Sequence, residues 1–100
     1  SGSSLKVTVD PDLMELIPGY LENRQKDIDR LKEMLKKRQY REIERCGHSM
    51  KGSGAGYGFQ GITTIGAFLE RAGKSQSVSR IEEGIDRLED YLENLEIVQD

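Results

Sequence analysis

The chain has 100 residues, which suits one domain. It carries 15 Lys and Arg against 18 Asp and Glu, a formal net charge of −3, and that acidic balance with only six Tyr and Phe argues against a general nucleic-acid binder. One cysteine excludes an internal disulfide and a multi-cysteine zinc site, one histidine excludes a histidine-rich metal centre, and no apolar run approaches the ~18 residues of a membrane span. The expectation is a small, soluble, cytoplasmic domain from a reducing compartment, with no membrane partner and no metal of its own.

Ser1-Gly2-Ser3-Ser4 reads as a tag scar, and no signal peptide is visible. Leu5 to Val9 alternates weakly, but a lone strand has nothing to pair with, so residues 1–9 are expected to be scar and lead-in and residues 10–98 the folded domain.

Asp10-Pro11 opens the first predicted helix, since Asp caps well and Pro is favoured at the first helical position. Leu13, Ile17, Leu21, Ile28, Leu31 and Leu35 form its apolar stripe to about Lys37, with Arg24 in the vacant place and its head expected to point outward. Pro18 removes a backbone donor and predicts a kink or break near Gly19.

The second helix is predicted from Tyr40 to Tyr57, with Ile43, Gly47, Met50, Gly54 and Tyr57 on one face. The third begins near Phe59 and presents Ile62, Ile65, Leu69 and Ala72, followed by a loop at residues 73–77. Ser77 or Ser79 caps the fourth, whose stripe is Val78, Ile81, Ile85, Leu88, Leu92 and Leu95. Four amphipathic helices with short connections predict an all-α, antiparallel, up-down-up-down four-helix bundle with a kinked or broken first helix.

The only histidine lies in Gly47-His48-Ser49-Met50-Lys51-Gly52-Ser53-Gly54. At 100° per residue His48 falls about 140° from Ile43, so it points out of the bundle. Lys51 at i+3 can reach the same space, and Gly52 at i+4 has no side chain to obstruct the ring. An accessible imidazole, an open approach and a nearby cation suit a phosphoryl group: imidazole attacks phosphorus, and an ammonium neutralises the oxygens in transfer. Taken alone His48 would be an ordinary surface histidine and the glycines a flexible loop; their joint spacing favours the chemistry. The glycines fit neither a phosphate-binding loop nor a dinucleotide fingerprint, because no strand precedes them and the spacing fails.

His48-Ser49-Met50-Lys51-Gly52-Ser53, with Gly58 ten residues after the histidine, resembles the signature of histidine-containing phosphotransfer (HPt) domains. The resemblance implies a phosphorelay carrier rather than an enzyme. His48 would accept a phosphoryl group from a receiver-domain phospho-aspartate and pass it to another receiver aspartate. Lys51 would steady the phosphoryl oxygens and Gly52 would leave room for the docking receiver. Ser53 belongs to the same motif, and the neighbourhood on the third helix matches Glu70, which would orient a ring N–H, and Lys74, which would meet phosphate. Both also read as solvated surface residues. Mg²⁺ would sit on the partner receiver. Response-regulator receivers and a sensor histidine kinase of the hybrid type are the implied partners, and a monomer is expected. The alternative is an unphosphorylated helical scaffold that docks receivers or other proteins.

Overall fold

The computed structural model describes residues 5–99. Four helices are present, α1 (Ile17–Lys36), α2 (Tyr40–Gly54), α3 (Gln60–Lys74) and α4 (Val78–Asn94), so the predicted helical bundle is borne out. Each packs on the next, and α4 closes against α1. Most of the core comes from the stripes read from the sequence: Ile17, Ile28, Leu31, Ile43, Met50, Ile62, Leu69, Ile81 and Leu88 are almost fully buried, joined by Val9, Tyr20 and Phe59 from outside those stripes. No helix among the described residues is long and apolar enough to cross a membrane.

The entry into α1 differs from the expectation. Asp10 caps a 3-10 segment, Pro11–Leu16, by accepting from the Asp12 amide at 2.9 Å. The break falls at Leu16–Ile17, before Pro18 rather than near Gly19. Pro18 sits in the first turn of α1, where its missing N–H would have had no helical partner in any case, so it starts the α-helix and does not kink it. Arg24 also departs from expectation. Its side chain is largely covered, its Nε donates to Asp27 Oδ2 at 2.8 Å, and its guanidinium lies 4.5 Å over the Tyr20 ring. Asp27 is buried and also accepts from Arg30 at 3.2 Å, because a carboxylate removed from water needs charged donors.

Residues 5–9 have a partner after all. Leu5–Val9 forms a strand, β1, that pairs in parallel with Leu95–Gln99, β2, in the register Val7 to Ile97. Leu95, read from the sequence as the last residue of the α4 stripe, turns extended and begins β2. Val9 is completely buried, so this pair of strands is attached to the core.

Glycine shapes the α2–α3 contact. A Cβ at Gly47 would meet the Glu70 amide nitrogen and, at 2.7 Å, the Gly66 carbonyl; one at Gly66 would meet the Lys51 nitrogen and the Gly47 carbonyl. The two backbones approach as closely as only glycine permits. Gly73 packs the same way on Glu44, and it lies within α3, which continues to Lys74 where a loop was expected. At the other end α2 stops at Gly54, a 3-10 turn (Ala55–Tyr57) follows, and Gly58 at φ 96° reverses the chain.

Candidate functional site

The same glycine contact positions the outward face of α2. Because Gly47 presses on the α3 backbone at Glu70, the next residue, His48, stands at the edge of the seam. Its ring is 70% exposed, in keeping with the helical angle read from the sequence. Glu70 reaches it from α3: Nδ1 of His48 lies 2.8 Å from Glu70 Oε2. Lys51, one turn along α2, donates from Nζ to the other oxygen, Oε1, at 3.1 Å. One carboxylate therefore holds both side chains.

The electrostatics fix the roles. The Lys51 hydrogen bond first, and the His48 hydrogen bond second, hold the Glu70 carboxyl below its usual value of 4.5, so it is ionised at neutral pH. An ionised carboxylate only accepts, so the ring donates from Nδ1–H. In the tautomer with its proton on Nδ1 the ring keeps its lone pair on Nε2, the nitrogen not engaged by Glu70.

The predicted residues divide into three groups. His48, Lys51 and Glu70 come together as described. Gly52 is open, with nothing within 4 Å of where a Cβ would stand. Ser53 and Lys74 lie elsewhere. Ser53 Oγ shares a hydrogen bond with the Tyr20 hydroxyl at 2.9 Å, tying α2 to α1, and that ring stacks on Tyr57 at 4.3 Å. Lys74, a turn beyond Glu70, lines an adjoining recess with Gln39, Tyr40 and Gly73 near the start of α2, which shares Arg41 and Glu44 with the recess at His48.

Sequence reasoning missed two features. Thr63 on α3 donates to the Lys51 carbonyl at 3.0 Å and accepts from the Ala55 amide at 2.7 Å, satisfying backbone groups where α2 ends. Its polar side chain beside the apolar Ile62 was the available signal. Arg45 lines an open recess of about 420 Å³ with Arg41, Glu44, His48 and Glu70. Its place three residues before His48 was the signal there.

No match was found among curated proteins or among solved structures. A family model does match, over residues 15–97, which takes in all four helices and every residue of the His48 site. Its description is Hpt domain, and the chain belongs to that family.

Proposed function

We propose that this chain is a phosphorelay carrier of two-component signalling, with His48 as the phosphoryl acceptor. The observation that carries the reading is the exposed His48 ring held through Nδ1 by the Glu70 carboxylate. Membership of the Hpt family supports it.

In the proposed step the Nε2 lone pair attacks the phosphorus of an aspartyl phosphate on a receiver domain. The N–P bond forms as the P–O bond breaks, and the aspartate carboxylate leaves with the electron pair. The ring becomes cationic while Nδ1 keeps its proton. Glu70, already hydrogen-bonded to that proton, stabilises the developing charge without reorganisation. Lys51, held beside the ring, turns to the incoming phosphoryl oxygens. The bare surface at Gly52 leaves the approach free. Reversal of the step delivers the group to a second receiver. The chain is thus a carrier and not a catalyst in its own right; Mg²⁺ would come with the receiver, and the phosphate enters the relay from a sensor kinase.

Incubation of the purified domain with phosphorylated receivers tests this. Acid-labile, alkali-stable label is expected on the wild type and not on His48→Gln. Equal labelling of the variant would refute the assignment.

A further inference from the structure

Beyond the residues of the proposed chemistry, α2 carries two arginines that this chemistry does not use, Arg41 and Arg45, in line with His48 and Lys51. Arg41, Arg45, His48 and Lys51 follow at steps of four, three and three, the spacing of one helix face. Lys51 is held by Glu70. Arg41 and Arg45 are exposed, and among the described residues neither makes an ion pair. The arginines of α1 behave differently, since Arg24 and Arg30 are both engaged with Asp27. Glu44 lies on the same rim as Arg41 and Arg45 and pairs with neither within 4 Å.

Two guanidinium groups four residues apart repel one another on a bare helix, so their placement costs the fold a little. It is suited to an anionic partner, because each guanidinium presents a fork of donors that matches a carboxylate. A phosphoryl group on His48 is not that anion for both. Arg41 precedes His48 by seven residues, about 10 Å of helix rise, and points to something that extends along α2. We infer that Arg41 and Arg45 form an electrostatic docking flank for surface carboxylates of the partner protein. They orient that partner so that its phosphoryl-bearing group meets His48 and its remaining surface lies over open Gly52.

This inference rests on the carrier reading, and the experiment separates the two. The full chain, Arg41→Glu, Arg45→Glu, the double variant and the control Arg80→Glu are compared. Arg80 is an exposed cation in the first turn of α4 and matches the charge change away from the site. Each protein is phosphorylated by phosphoramidate, a small donor with no protein surface, and by a panel of receiver domains carrying aspartyl phosphate. The expected result is wild-type labelling of all five proteins by phosphoramidate. With the fastest receiver of the panel at low salt, the double variant should lose at least tenfold in transfer rate, each single variant less, and Arg80→Glu little. Charge steering supplies 10- to 1000-fold in on-rate and fades with salt, so the gap should narrow at 0.5 M NaCl.

Equal transfer by the double variant and Arg80→Glu would overturn the docking flank and leave the carrier reading intact. A matching loss with phosphoramidate would overturn it too, by showing that the arginines act on the phosphoryl group. Absence of label on wild-type His48 from every donor would defeat the carrier reading, and the flank with it. Label from phosphoramidate but from no receiver would defeat the partner class that both assume.

Discussion

Glu70 holds Nδ1 of His48 at 2.8 Å from a different helix, and so decides which ring nitrogen is free. Removing its charge should expose that function. Glu70→Gln keeps a hydrogen-bond acceptor but no longer stabilises a cationic ring, and Glu70→Ala keeps neither. Transfer to His48 should fall about 10-fold in the first and about 100-fold in the second, equivalent to about 1.4 and 2.7 kcal/mol of barrier. Rapid-quench transfer assays check this order; equal rates would remove Glu70 from the mechanism.

The same carboxylate sets an acid limit. Lys51 first and His48 second depress its pKa, so the stabilisation it contributes is present above the ordinary 4.5 and is lost as pH falls through the lowered value. The stability difference between wild type and Glu70→Gln should therefore be largest near neutral pH and shrink in the acid range. Urea unfolding of both proteins at pH 7 and pH 3 measures it.

Glycines in one short stretch of α2 should respond in opposite ways. Gly47→Ala drives a methyl into the α3 backbone and should cost about 1–3 kcal/mol, with His48 displaced and transfer impaired. Gly52→Ala meets nothing and should stabilise the helix by about 0.5–1 kcal/mol. Thermal melts of the two variants give the signs directly.

What was legible in the sequence follows from the range of each interaction. The stripe Ile43, Gly47, Met50, Gly54 is local, and it placed His48 outside the bundle before any tertiary contact was known. The joining of His48 and Lys51 through Glu70 depends on how closely two helices cross, which spacing along one helix does not encode. Ser53 belongs to the same motif as His48 and Lys51, yet its hydroxyl faces Tyr20 on α1. Arg24 fills a gap in the apolar stripe and so reads as a head in water; its partner Asp27 is a polar residue buried in the core, which periodicity does not announce. The pairing of β1 with β2 joins segments 90 positions apart, and no periodicity in either one announces the other.

That strand pair gives a further prediction. Val9 is fully buried against the bundle, so Val9→Ala should cost about 1.5–3 kcal/mol by lost methyl burial and the cavity left behind. Chemical denaturation checks it, and a loss below about 0.5 kcal/mol would show that β1 is not part of the cooperative fold.

Cys46 should be chemically quiet. Burial, with a smaller contribution from nearby Asp27, pushes its thiol up to about 11, so almost no thiolate exists at pH 8. Ellman's reagent should label the native protein far more slowly than the urea-unfolded chain. Above the thiol's ordinary pKa near 9 the unfolded state ionises first, so stability should decline between pH 9 and pH 11.

The most direct measurement is the position of the phosphoryl group itself. Protein labelled with ¹⁵N in its one histidine, exposed to a phosphorylated receiver and observed by ¹⁵N and ³¹P NMR, should show a phosphorus–nitrogen coupling at Nε2 of His48. Nδ1 should remain protonated, with its proton shifted downfield by the hydrogen bond to Glu70. Coupling at Nδ1, or an unmodified ring after receivers have been supplied in excess, would contradict the account.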